Sequence, residues 1–487
     1  MAGKALAREA AVRPPHGVGS GPAAGPAAAI GAAAGNGAGL SPLQSPAVVS
    51  IDQLRTAVDA LSLARREPSW LTDIRRQALE TYASMPLPDR VAHLWRYTDP
   101  ERFVPAFPLQ EEGRESGREI GSSGGPGNRS EWPEELGESI ASGSLAGAAL
   151  VVGGRIAKHS IDPALAKAGV AIEDLHHAAQ KRPEVVHRAL GSAVLTSAGK
   201  FEALNAALWR GGVLVHVPRG VAVEKPIHIL NSCSGARSRY PRLLVVAEPG
   251  SSVAVIDEYS GDGRQVNSVV ETLGASGSHV RYVFIQRLGE AGILHAAQRA
   301  RIERDAKLVS VCASLGALVS KADIGTSLEG KGSEVEFLGL LFGTGRQQFD
   351  HHTVHEHISG STLSNLDFKV VLKDRSRSAY TGLIRIAPDA PGSEAYQENR
   401  NLLLNDGAKA ESIPELEILT DEVMCTHGAT MGTLDPEHIF YLSSRGIPRR
   451  EAARMIVAGF LEPTLVRLPA DLRDRLRRYI HGALASL

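Results

Sequence analysis

Between about residues 196 and 432, short β-forming runs follow one another with no helical pattern among them, and this constrains the fold more than any other feature. Val213-Leu214-Val215-His216-Val217, Ile227-His228-Ile229-Leu230, Leu243-Leu244-Val245-Val246 and Ser252-Val253-Ala254-Val255-Ile256 come first. His279-Val280-Arg281-Tyr282-Val283-Phe284-Ile285 and Val335-Glu336-Phe337-Leu338-Gly339-Leu340 follow, with Gly, Ser, Asn and Asp at the turns. Without intervening helices of 10–15 residues, βαβ units are disfavoured. Sandwiches or a solenoid of stacked rungs remain. A single sandwich needs only about 100 residues, so the length favours the solenoid, although no strict sequence period is visible.

The flanks read differently. Ser50 is placed to cap a helix carrying Ile51, Leu54, Val58 and Leu61, and Pro68 precedes a second run through Trp70, Leu71, Ile74 and Ala78. A Gly/Ser-rich stretch near 111–135 reads as a surface loop. After the β region, Asp435-Pro436 opens a helix that Gly446 ends, and Pro448 opens another with Ala452, Met455, Ile456, Gly459 and Phe460 on one face. A third, Arg-rich helix follows from Leu472. The expected organisation is a tail over 1–48, a helical domain over 49–195, a β core over 196–432 and a helical domain over 433–487. Twenty-three of the first 40 residues are Ala or Gly, too little apolar bulk to offset the entropy of ordering them. That tail lacks the compact apolar core of a signal peptide, while its low acidity leaves organelle targeting open.

Charge excludes some functions. With 53 basic and 54 acidic residues, the formal net charge is −1. No global basic field recruits nucleic acid, and no apolar run is long enough to span a membrane. Cys233, Cys312 and Cys425 are too few and too dispersed for a disulfide framework or a structural zinc site. That fits a reducing, cytoplasmic compartment. There is no P-loop motif and no nucleophile elbow. Asn128-Arg129-Ser130 matches a glycosylation triplet that no export signal supports.

Three segments could carry chemistry. In Val423-Met424-Cys425-Thr426-His427-Gly428-Ala429-Thr430, a strand would place Cys425 and His427 on one face, about 7 Å apart. A thiolate and an imidazole at that spacing suit a soft metal or one edge of a cluster; a packed thiol and a satisfied histidine are the plainer alternative. In Asp350-His351-His352-Thr353-Val354-His355-Glu356-His357, the odd-numbered His351, His355 and His357 share a face, either as metal ligands or as a polar ladder on stacked rungs. One segment cannot supply a tetrahedral ligand set. The alternating Arg375-Ser376-Arg377 run suits phosphate or a solvated sheet face.

Several blocks together resemble the SufB/SufD core proteins of the SUF iron–sulfur cluster assembly machinery. They are Ala203-Leu204-Asn205-Ala206-Ala207-Leu208-Trp209, Val217-Pro218-Arg219-Gly220-Val221, Glu224-Lys225-Pro226-Ile227-His228 and Asp350-His351-His352-Thr353. Tyr380-Thr381-Gly382, Gln397-Glu398-Asn399-Arg400-Asn401-Leu402-Leu403-Leu404, His427-Gly428-Ala429-Thr430 and Phe440-Tyr441-Leu442-Ser443-Ser444-Arg445-Gly446-Ile447 complete the set. The resemblance implies a mainly β protein, a right-handed β-helix core between N-terminal and C-terminal α-helical domains. It implies a non-catalytic scaffold that pairs with a SufB partner through the β-helix, docks the SufC ATPase through its C-terminal helices and holds an iron–sulfur cluster only transiently within the complex. Homodimers are a further possibility.

SufB-type chains have a Cys in the stretch read here as Gln397-Glu398-Asn399-Arg400-Asn401, and an acidic motif in place of Cys425-Thr426-His427-Gly428-Ala429-Thr430. The resemblance is therefore of the SufD type, with His427 and Cys425 as interface ligands for the cluster. The alternatives are a SufB-type subunit that accepts sulfur itself and, more remotely, a β-helix carbohydrate enzyme.

Overall fold

The computed structural model describes residues 49–91, 93–105, 132–235 and 237–484. The expected tail, most of the 111–135 loop and the Asn128 triplet lie outside these residues. None of the described helices is long and apolar enough to cross a membrane.

Twenty strands form two ten-stranded sheets facing each other as a β-solenoid of about eight turns. One sheet contains β1 (Gly147–Val152), β2 (Arg155–Ile161), β5 (Ile227–Ser232), β8 (Ser252–Gly261), β10 (His279–Leu288), β12 (Lys307–Ser314), β14 (Glu334–Gly343), β16 (Leu363–Leu372), β18 (Ser393–Leu403) and β20 (Val423–Thr433). The other contains β3 (Ala171–Asp174), β4 (Val213–Val217), β7 (Arg242–Ala247), β9 (Gln265–Gly274), β11 (Ile293–Ile302), β13 (Val319–Leu328), β15 (Gln348–His357), β17 (Arg377–Ile386) and β19 (Lys409–Ile418), with the short β6 (Ser238–Arg239) beside β9. Along the solenoid, strands pair in parallel and in register with the equivalent strand one turn away. From β8 to β20, successive strands of the first sheet begin 27, 28, 27, 29, 30 and 30 residues apart. The corners absorb the variation, which is why no strict period shows in the sequence.

Strands buried on both faces read as continuous apolar runs. On β10, Val280, Tyr282 and Phe284 fill the interior, while Val283 and Ile285 face outward beneath the C-terminal helices. Those helices are α8 (Pro436–Ser444), α9 (Arg449–Leu465) and α10 (Ala470–Leu484), which follow seven earlier ones. The seven are α1 (Ile51–Arg65), α2 (Ser69–Ser84), α3 (Glu134–Ala141), α4 (Pro163–Lys167), α5 (Leu175–Lys181), α6 (Pro183–Ala189) and α7 (Lys200–Leu208). Ser50 and Gln53 close a capping box on α1, each satisfying a backbone N–H that the first turn leaves unpaired. The N-terminal helices cover the outer face of the second sheet, where Phe201, Leu204 and Trp209 meet Leu214, Leu244 and Val246.

Two expectations change. The stretch 49–195 is not wholly helical, because β1–β3 extend both sheets. The small residues of Gly147-Ala148-Ala149-Leu150 carry little strand propensity, and pairing with β5 imposes the strand. On α9 the buried face is Ala452, Val457, Leu461, Thr464 and Leu465, whereas Met455 is exposed. This helix carries apolar residues on more than one side, so periodicity alone did not choose the covered face.

Buried ions fasten α10 to the solenoid. Glu258 on β8 accepts from Arg287 Nε at 3.0 Å, lies 3.1 Å from His228 Nε2 and 3.5 Å from Arg475 of α10, and receives the Tyr479 hydroxyl at 3.2 Å. Burial opposes its ionisation, but His228 and Arg287 prevail and hold the carboxyl at about 2.

Candidate functional site

Among the described residues, β20 is the last strand of its sheet and pairs only with β18. Its register sets Cys425 beside Ala395 and His427 beside Gln397. Both point to the inner side of the last rung, at the open mouth of the solenoid. Cys425 is half-buried against Ile384, Ile386 and Ala395, and burial raises its thiol. His427 is exposed. The paired residue Gln397 is fully buried and donates to the Gly382 carbonyl at 3.1 Å. The expected pair is thus brought together on one face. Among the described residues, no third His, Cys, Asp or Glu joins it within ligating distance.

The surroundings are apolar and uncovered. Met424 and Met431 on β20, Leu416 and Ile418 on β19, and Leu419 just after it are exposed. Phe440 and Tyr441 on α8 are 76% and 55% exposed. Apolar side chains left exposed beside an open sheet edge are features that interaction surfaces use.

His351, His355 and His357 occupy the solenoid interior instead. His351 Nε2 is 2.9 Å from the Ser314 hydroxyl, and His357 meets the Thr362 and Ser364 hydroxyls at 2.7 and 2.8 Å. His355 packs edge-on to Phe337. Burial pulls the three down to about 4, 3 and 4 respectively, so all are neutral near pH 7. A strand rises roughly 3.3 Å per residue, which separates His351 from His357 by about 20 Å. The three imidazoles therefore do not meet at one point. Arg375 and Arg377 line an open recess with Arg346 and Lys409.

Residues 228–460 match the family model described as SUF system FeS cluster assembly, SufBD core domain. Residues 145–229 match the model of the SufBD protein N-terminal region. The two matches are continuous and span about two thirds of the chain. The chain belongs to the SufB/SufD family. An iron–sulfur cluster assembly SufBD family protein of Staphylococcus aureus (strain MRSA252) is 26% identical over 431 residues, covering 87% of this chain and 91% of the relative. A protein of the same description from Staphylococcus epidermidis is 26% identical over 429 residues, with the same coverage.

The core-domain match takes in both 397–401 and 425–430, and the register makes them neighbours on adjacent rungs. One group escaped the sequence reading: Glu202, His295 and Asp323, which converge beneath α7. No motif spacing announces them, since the chain brings them together only through rung stacking and the docking of α7.

Proposed function

We propose that this SufB/SufD-family chain is the SufD-type subunit, a non-catalytic scaffold for iron–sulfur cluster assembly. It pairs with a SufB-type paralogue across the open last rung, and Cys425 and His427 contribute two of the ligands that hold a cluster transiently at that junction. The observation that carries the reading is the placement of this thiol–imidazole pair on an unpaired edge strand ringed by exposed apolar side chains. Two donors are fewer than the four a stable cluster takes, so a facing subunit must supply the rest. Exposed Phe440 and Tyr441 on α8 support docking of the SufC ATPase there. The cluster is cargo, and the expected compartment is the cytoplasm.

Two observations weigh against a SufB-type role in accepting sulfur. The strand neighbouring β20 has Gln397, Glu398 and Asn399 where that role calls for a Cys. Cys233 and Cys312 are fully enclosed, and burial pushes both thiols up to about 12, far from the thiolate a sulfur acceptor needs.

The test is co-expression with a SufB-type and a SufC-type partner, followed by anaerobic cluster reconstitution. His427→Ala is expected to lower the iron and sulfide retained by the complex while leaving its melting temperature unchanged. Full retention would remove His427 from the ligand set.

A further inference from the structure

The outer face of the second sheet carries a buried ionic cluster far along the solenoid from the last rung. His295 on β11 is fully buried, with its ring against Trp95, Phe103 and Phe201. Its Nε2 lies 3.7 Å from a Glu202 carboxylate oxygen on α7 and 3.7 Å from Asp323 Oδ2 on β13. Neither separation is a hydrogen bond, and Nε2 has no hydrogen-bonding partner. The other ring nitrogen, Nδ1, lies 3.4 Å from Asn267 Oδ1. The Asn267 amide nitrogen donates to the Phe201 carbonyl at 2.9 Å, which leaves Oδ1 as the acceptor. With Nδ1 turned to Asn267, Nε2 is the ring atom that faces the two carboxylates without a partner. Two carboxylate oxygens and an unpartnered ring nitrogen facing one gap are a donor set that a cation takes.

The two nitrogen–oxygen separations suit a shared metal ion. Ligand atoms 3.7 Å apart and each about 2.1 Å from a common ion subtend roughly 120°, close to the tetrahedral range. All three donor atoms lie within 4.8 Å of one another.

Charge points the same way. The carboxylates of Asp323 and Asp350 flank one buried ammonium, Lys321, at 3.3 Å from Asp323 Oδ1 and 3.9 Å from Asp350 Oδ2, while Glu202 faces His295. Lys321 thus holds the Asp323 oxygen turned away from His295 and leaves Oδ2 free for a second cation. Glu202 and Asp323 keep side-chain exposures of 12% and 11%, so neither carboxylate is wholly sealed from solvent.

We propose that Glu202, His295 and Asp323 bind a divalent first-row transition cation through two carboxylates and one imidazole. Nitrogen and oxygen donors of this kind suit Zn²⁺, Fe²⁺ or Mn²⁺ rather than a thiophilic ion. Because Glu202 comes from the N-terminal cap and the other two from neighbouring rungs, the ion ties the cap to the solenoid. Asn267, which orients His295 through its far nitrogen, is a positioning residue. This site is independent of Cys425 and His427.

The experiment uses the full-length chain, stripped with chelator and titrated anaerobically with Zn²⁺, Fe²⁺, Mn²⁺ and, as a spectroscopic probe, Co²⁺. Wild-type protein is expected to take up about one equivalent and to melt at higher temperature when loaded. The cobalt form is expected to show d–d bands without a thiolate charge-transfer band. A Cys425→Ala/His427→Ala double variant should retain that equivalent, which separates this site from the cluster site. His295→Gln and Asp323→Asn should each lose it, and Asn267→Ala should weaken binding by about tenfold. The proposal is overturned if wild-type protein binds none of these ions, if the equivalent disappears with Cys425 and His427, or if it survives loss of His295. The wild-type cobalt spectrum decides the question even where a variant fails to fold.

Discussion

The middle of the solenoid and its last rung share one backbone pattern and differ in what covers them. β13 is buried at nine of its ten positions, and β20 at none of its eleven. Both are ten- or eleven-residue strands in parallel ladders, so strand formation is not what separates them. The middle rungs have a neighbour on each side and helices outside, and, the His295 cluster apart, their side chains are spent on packing and on pairing buried polar groups. The last rung lacks a neighbour, and there the thiol, the imidazole and the apolar side chains stay available. The availability of Cys425 and His427 follows from where the stack stops.

The largest expected effect comes from uncovering the middle. Removing residues after 434 would strip Val457, Leu461, Leu472 and Leu476 from Ile285, Leu338 and Phe342. The truncated chain is expected to aggregate or to lose its cooperative melt; an unchanged melting curve would show that the helices contribute nothing to the core. Next, Phe368→Ala removes an interior ring stacked on Phe337, at an expected cost of roughly 3–5 kcal/mol by denaturant titration.

Acid should find the interior before the rim. His355 is held at about 3 when folded against about 6.5 unfolded. Its neutral, buried form therefore stabilises fully above pH 6.5 and progressively less as pH falls toward the folded value, by roughly 2 kcal/mol at pH 5. His355→Leu should resist acid better than the parent, measured as the difference in unfolding free energy between pH 8 and pH 5. Equal pH sensitivity in both proteins would mean that His355 is not shielded.

The smallest effect on stability belongs to the last rung. Met424→Lys and Met431→Lys should change it by less than about 0.5 kcal/mol, yet weaken pairing with a SufB-type partner in co-purification. A large loss of stability would place these side chains in the core.

The strands of the β region were legible because turn residues bracket their apolar runs. The repeat was not, because rungs that differ by one to three residues blur any period. Strands β1–β3 were missed because Ala148 and Ala149 have little β preference until β5 pairs with them. Cys425 and His427 could be read as a pair because a period of two settles which residues share a face. Glu202, His295 and Asp323 could not, since no local pattern relates a helix residue to two rungs in another part of the chain.

The unpaired edge of β20 also bears on how much of this protein a cell can make. Eleven residues of free ladder next to Met424 and Met431 form a surface to which a second copy can add as readily as a sister subunit. Chains synthesised in excess of their mates would be self-adhesive. On the proposed pairing, synthesis in step with the companion subunit would keep that edge covered.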